Sequence, residues 1–127
     1  RGICCILPGI EGKTDNIEVI SVVGRFLEHS RIYCFGTGDD MKMYISSADW
    51  MTRNTENRVE IAAPVYDSKI KESIYDTLLI MWRDNLKARI LCSDGSYKKP
   101  EIKEGDELHD CQNELRHEYK MGRRITL

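Results

Sequence analysis

The amino-acid sequence predicts an α/β layered domain, and three observations carry that expectation. Short β-prone runs, each closed by Gly, Pro or Asp, recur along the first two thirds of the chain. One long segment after Asp67 repeats its apolar residues at helical spacing. The chain has 127 residues, 41% hydrophobic and 31% charged, which suffices for one buried core without the composition of a disordered segment. Strands alternating with an amphipathic helix fit an α/β layer rather than a bundle or a sandwich.

The first element is Ile3 to Leu7, a continuous apolar run closed by Pro8-Gly9 and read as a buried strand, with a loop from Ile10 to Asn16. Ile17, Val19 and Ser21-Val22-Val23 read as a second strand that ends near Gly24. From Phe26 through Leu27, His29 and Arg31-Ile32-Tyr33-Cys34-Phe35, and again from Met41 to Ile45, two β-prone runs flank Gly36-Thr37-Gly38-Asp39-Asp40. That is the pattern of a hairpin, with His29 early in its first arm. A further β-prone run, Val59 to Val65, lies between the polar stretch Thr52 to Arg58 and Asp67-Ser68.

Asp67 or Ser68 can cap the helix that follows, where Ile70, Ile74, Leu78, Met81, Trp82 and Leu86 form one apolar face suited to packing on a sheet. Beyond Leu91, Ser93-Asp94-Gly95-Ser96 reads as a turn. Lys98-Lys99-Pro100 then leads into Glu104 to Arg124, polar almost throughout. Residues 1–97 are therefore expected to form the domain, and 98–127 a polar C-terminal tail, either mobile or a helix that needs a partner.

The net charge of −2 supplies no global field for a polyanion, so nucleic acid is not an expected partner and any anion site must be a local arginine cluster. The five cysteines are odd in number, and the adjacent Cys4-Cys5 pair fits no zinc motif, which points to a reduced, cytosolic chain. No apolar run approaches the roughly 18 residues of a membrane span, and no signal-peptide order opens the chain. A strand-like run beginning at the second residue reads as a piece of something longer.

Chemistry concentrates at His29 with Arg31 and at Ser46-Ser47 with Asp49. On a strand, His29 and Arg31 share a face, because side chains alternate with period two. The far end of the paired strand returns Ser46, Ser47 and Asp49 toward them. A neutral imidazole is a competent nucleophile or proton donor, arginine offers a fork of donors to phosphate oxygens, and an aspartate can orient the imidazole. Those parts suit phosphoryl transfer. Taken singly, each also has a structural use: a satisfied histidine in a β-run, a solvated Arg31, turn residues at Ser47 and Asp49. Trp50-Met51 and Trp82 read as packing, and His109 and His117 as surface residues.

The stretches Arg1-Gly2-Ile3-Cys4-Cys5-Ile6-Leu7-Pro8-Gly9, Asp15-Asn16-Ile17, Val22-Val23-Gly24-Arg25-Phe26-Leu27-Glu28-His29-Ser30-Arg31-Ile32 and Tyr44-Ile45-Ser46-Ser47-Ala48-Asp49-Trp50-Met51-Thr52-Arg53-Asn54 resemble the final domain of the polyphosphate kinase family. So do a helix ending Asp84-Asn85-Leu86-Lys87-Ala88-Arg89 and the Ser93-Asp94-Gly95-Ser96-Tyr97 turn. The resemblance runs from residue 1 to about residue 97. It implies a phospholipase-D-like domain with a mixed β-sheet flanked by helices, one of a pair that each bring one histidine to a shared tunnel. It further implies reversible transfer of the terminal phosphoryl group of ATP to polyphosphate, with Mg2+, through a phosphohistidine in the preceding domain of the parent chain.

In that scheme His29 matches the second catalytic histidine, a general acid or base or a stabiliser of the transferring group, and Arg1 matches an arginine on the nucleotide phosphates. ATP or ADP and polyphosphate are the implied ligands, His29 and Arg1 the implied nucleotide contacts, and a cytoplasmic homo-oligomer, peripheral at the inner membrane, the implied full-length enzyme. Arg31 stands where the wider superfamily has lysine in its His-x-Lys pattern, Asp49 where it has asparagine, and Gly36 where an acidic residue is expected. From another class, a stand-alone phosphate-binding module fits the same residues, as does a phosphodiesterase that gains its second histidine by dimerising.

Overall fold

The computed structural model describes residues 5–122. In chain order the elements are β1 (Ile20–Val22), β2 (Ile32–Phe35), β3 (Lys42–Ser46), α1 (Thr52–Glu56), β4 (Ala62–Val65), α2 (Ser68–Trp82), β5 (Ala88–Leu91), β6 (Tyr97–Lys98) and α3 (Cys111–Lys120). They fall into two compact units. Glu28–Tyr75 forms one, and the segments up to Leu27 and from Asp76 onward form the other. The α/β class stands. The sheet is not mixed: the described strands make two three-stranded sheets, β1-β5-β6 and β2-β3-β4, and every pairing is antiparallel. For two of the four pairings the physical reason is connectivity, since hairpin-length links join β2 to β3 and β5 to β6, whereas a parallel pair needs a long crossover between neighbours.

In the Glu28–Tyr75 unit the expected hairpin forms, with Ile32 opposite Ile45 and Phe35 opposite Lys42. Its connection turns at Gly36, whose φ of 81° lies in the left-handed region, and passes through a 3-10 turn at Gly38–Asp40. The ladder begins at Ile32, later than the sequence pattern suggests, so His29 precedes β2 instead of lying in it. The upstream apolar residues do not extend the strand, because Leu27 is 85% exposed and has no core to face. Met43, the second residue of β3, is fully buried. β4 is an edge strand opposite β3 and places Pro64 across from Tyr44, a position where a missing N–H is tolerated.

The Asp67 carboxylate accepts the Ile70 N–H at 3.0 Å and starts α2 as its capping residue. α2 ends at Trp82, short of Leu86 and of the helix expected to run to Arg89. There the Asp84 carboxylate accepts the backbone N–H groups of Lys87 and Ala88 and bends the chain into β5, so Arg89 lies on a strand.

In the other unit β5 pairs with β1, placing Ile90 opposite Ile20, and with β6 across the expected Ser93–Ser96 turn. Gly95 takes φ 82° there, and Asp94 accepts both the N–H and the hydroxyl of Ser96. The polar segment beyond residue 97 carries α3, capped by Asp110, whose carboxylate accepts the Asn113 N–H at 3.2 Å. Cys111 and Leu115, one helical turn apart, are buried with Ile80 and flanked by Val22 and Met81. The partner this helix needs is thus the core of its own unit. Ile3 and Cys4 lie outside the described residues, and Cys5–Leu7 is not part of a strand. No disulfide joins Cys5, Cys34, Cys92 and Cys111. Among the described residues, no helix is long and apolar enough to cross a membrane.

Candidate active site

The site is built at one end of the β2-β3-β4 sheet. The Ser46 N–H donates to the Arg31 carbonyl at 2.8 Å, which extends the hairpin pairing one step beyond Ile32. After β3 the chain folds over in a tight turn that its own side chains hold. The Ser46 hydroxyl donates to the Ile61 carbonyl at 3.0 Å and accepts the Ala48 N–H at 3.0 Å. The Tyr33 hydroxyl donates to the Ala48 carbonyl at 2.7 Å. Ser47 donates to Glu60 and accepts the Ile61 N–H at 3.1 Å, while the buried Asn54 donates its side-chain N–H to Glu60 at 2.7 Å. The Ser47 and Asn54 donors hold the Glu60 carboxyl below its usual pKa, so it is charged at neutral pH.

That turn delivers Asp49 to Arg31. Arg31 Nε donates to Asp49 Oδ1 at 2.6 Å and Nη2 to Oδ2 at 3.2 Å, a two-point fork on one carboxylate. The hydrogen bond from Arg31 lowers the Asp49 pKa, and the same bond raises that of Arg31. The opposite corner of the guanidinium, Nη1, faces His29, donating to its carbonyl at 3.2 Å and lying 3.5 Å from ring Nδ1. His29 itself is exposed.

Sequence reasoning grouped His29, Arg31 and Asp49, and the structure brings the three together in a line with Arg31 in the middle. Ser46 and Ser47 are spent on the turn and on Glu60. Arg1 lies outside the described residues. Glu60, Tyr33 and Asn54 were not singled out, although an acidic residue inside the β-prone Val59 to Val65 run is a usable signal. Trp50, expected in the core, is 81% exposed, meets Tyr33 edge-to-face at 5.8 Å between centroids, and walls a pocket of about 270 Å³ shared with Asp49 and Glu60. It is exposed because the turn at Ser46–Asp49 ends the sheet before Trp50 can join its covered face. Trp82 is half exposed. His117 is exposed, as expected, whereas His109 is half-buried with Nδ1 3.0 Å from Glu114. Among the described residues, no three His, Cys, Asp or Glu side chains are grouped to hold a metal ion.

Comparison with known proteins gives one consistent answer. The family model described as polyphosphate kinase C-terminal domain 2 matches residues 1–112. The polyphosphate kinase of Bacillus anthracis is 50% identical over 126 residues, 99% of this chain and 17% of that protein. The polyphosphate kinase of Rhodopirellula baltica is 41% identical over 124 residues, 98% of this chain and 15% of that protein. The crystal structure of polyphosphate kinase from Porphyromonas gingivalis superposes with a TM-score of 0.87 at 38% identity, covering 98% of this chain and 19% of that one. The chain thus spans less than a fifth of these relatives. With its match over residues 1–112 to this family model, and with polyphosphate kinases 50% and 41% identical over nearly its whole length, the chain belongs to the polyphosphate kinase C-terminal domain 2 family.

Proposed function

We propose that this chain is the second histidine domain, phospholipase-D-like in type, of a polyphosphate kinase that reversibly transfers the terminal phosphoryl group of ATP to inorganic polyphosphate. The transfer yields ADP and a polymer one phosphate longer. The nucleophilic histidine belongs to a preceding domain of the same parent chain, and His29 acts on the phosphoryl group in flight, as a general acid or base or by holding its developing charge. The observation that supports this reading is an exposed imidazole beside an arginine, 3.5 Å from Nη1 to Nδ1, in a chain of this family. Phosphoryl transfer leaves a protein little to do beyond positioning and charge stabilisation, and these groups supply both.

Arg1 is proposed to contact the nucleotide phosphates. Mg2+ would arrive with those phosphates, and Asp49 is engaged by Arg31. The full-length enzyme is proposed to be a cytoplasmic homo-oligomer. The test is His29→Ala in the full-length parent enzyme. Turnover is expected to fall by roughly 10² to 10⁴. The melting profile should be unchanged, because the exposed ring adds little to the core. Near-normal turnover would remove His29 from the mechanism.

A further inference from the structure

Resting on that reading, we infer that Arg31 is a positioning residue for His29 and not a phosphate ligand, and that it sets the neutral imidazole as a hydrogen-bond donor at Nε2. The argument begins with how the guanidinium is used. An arginine has five N–H donors and no acceptor. Its Nε and Nη2 edge is closed by Asp49 in the two-point fork. Its Nη1 corner is turned onto His29, with the shorter contact, 3.2 Å, to the carbonyl and the longer, 3.5 Å, to the ring. With Nε, one Nη2 hydrogen and Nη1 engaged, at most two of the five N–H groups remain for a phosphate, and the Nε and Nη2 fork suited to gripping one is already taken. Its positive charge is also matched locally by Asp49.

The fork is anchored from behind. Asp49 follows a turn pinned at Ser46, Ser47 and Ala48 by Ile61, Glu60 and Tyr33, so the backbone that presents the carboxylate to Arg31 is held in place. The result is a relay in which Glu60 steadies the turn, the turn presents Asp49, Asp49 holds Arg31, and Arg31 holds His29.

The consequence for the ring follows from charge. A guanidinium 3.5 Å from Nδ1 disfavours a proton on that nitrogen, since two N–H groups would then face each other. The neutral ring therefore keeps its proton on Nε2. In that form Nε2 is a donor to a phosphoryl oxygen, with no lone pair left to serve as base. It cannot give the proton up as an acid without becoming an imidazolate. Of the roles open to His29, holding negative charge by a hydrogen bond is the one this geometry favours, and it needs no bond made or broken at the ring.

The test uses the full-length parent enzyme with His29→Ala, His29→Gln, Arg31→Lys, Arg31→Gln and Asp49→Asn, measuring kcat and KM for ATP and for polyphosphate. Both Arg31 variants and Asp49→Asn are expected to lower kcat about tenfold or more, with both KM values held within about twofold. Lysine should not rescue, because an ammonium cannot make the two-edged fork. His29→Gln, which keeps an N–H donor, is expected to retain at least about tenfold more turnover than His29→Ala. Wild-type turnover in Arg31→Lys, or raised KM at constant kcat in either Arg31 variant, would overturn the positioning role in favour of phosphate binding. His29→Gln as inactive as His29→Ala would overturn the donor assignment. If His29→Ala itself were active, the underlying functional reading would fail instead, so the two failures are separable. Should Asp49→Asn fail to fold, Arg31→Lys still decides.

Discussion

Replacing Asp84 with asparagine tests the joint between the end of α2, the start of β5 and the start of α3. Asp84 is 3% exposed, and its carboxylate accepts three backbone amides. Oδ1 takes those of Lys87 at 2.7 Å and Ala88 at 2.9 Å, and Oδ2 takes that of Cys111 at 2.8 Å. Burial pushes the carboxyl pKa up, but the three donors outweigh it and leave the pKa below the usual carboxylate range. Asparagine can keep its one oxygen on Lys87 and Ala88 only by setting its NH2 group against the Cys111 N–H. One charge-assisted hydrogen bond is then lost, worth about 1.5 to 3 kcal/mol. Relief of carboxylate desolvation brings the net cost toward the lower end, about 2 kcal/mol. Asp84→Ala strands all three amides, at about 1 kcal/mol or more each, so about 3 kcal/mol in total.

Urea denaturation followed by circular dichroism should therefore rank wild type above Asn and Asn above Ala at pH 7. The pH dependence has a definite sign. A carboxyl whose folded pKa lies below its unfolded value of about 3.9 contributes stability that is present above that value and is lost as pH falls through the folded one. The gap between wild type and Asp84→Asn should narrow as the pH is taken from 7 to below about 4. An Asp84→Asn variant with the wild-type midpoint at pH 7, or a gap that widens on acidification, would refute the reasoning.

Two other outcomes follow from the same level of detail. A Cβ at Gly24 would sit 2.3 Å from Gln112 Oε1 and 2.6 Å from its Cδ, and Gln112 bridges the Phe26 backbone by accepting its N–H at 2.9 Å and donating to its carbonyl at 2.8 Å. Gly24→Ala should expel that amide and cost about 1 to 3 kcal/mol, read as a lowered melting temperature, and adding Gln112→Ala should produce little further loss; additive losses would show that the clash is not the cause. The 127-residue chain incubated with ATP, Mg2+ and a polyphosphate primer should extend no polymer, because one histidine cannot be both nucleophile and second-site group; chain growth would show that no preceding domain is required.

Turns and caps were legible in the sequence where local side-chain chemistry decides them, whereas the apolar run closed by Pro8-Gly9 forms no strand over Cys5–Leu7. The Gly36 to Asp40 connection, the Asp67 cap and the Ser93–Ser96 turn all sit where the residue types place them, because each is decided by local backbone chemistry. Boundaries set by long-range partners were not legible. α2 stops at Trp82 because of Asp84, whose third acceptor bond reaches Cys111, 27 residues away. Phe26, which the apolar pattern would enrol in the ladder, instead has its backbone N–H and carbonyl satisfied by the side chain of Gln112, 86 residues away. The sequence leaves α3 open between a mobile tail and a helix that needs a partner, because its buried apolar stripe in the described core is only Cys111 and Leu115 in an otherwise polar segment, too narrow a signal to separate a packed helix from a solvated tail.

At the site the same division holds at the level of single atoms. Residue types announced an imidazole, a guanidinium and a carboxylate within reach of one another, and strand pairing brought them together. What spacing could not reveal was the order of contact. A period-two strand over His29 and Arg31 leaves Asp49 free to meet either, and the intuitive choice is aspartate on imidazole with arginine left for phosphate. The observed order, Asp49 on Arg31 and Arg31 on His29, depends on His29 lying just before the ladder and on a turn held by Ser46, Ser47 and Glu60. It also accounts together for two of the three places, Arg31 and Asp49, where this sequence departs from the pattern that its resemblance implies. A lysine at 31 could not make the two-point fork on a carboxylate and reach His29 from the opposite corner, and an asparagine at 49 would not carry the charge that keeps an arginine there, so the two residues make sense as a pair.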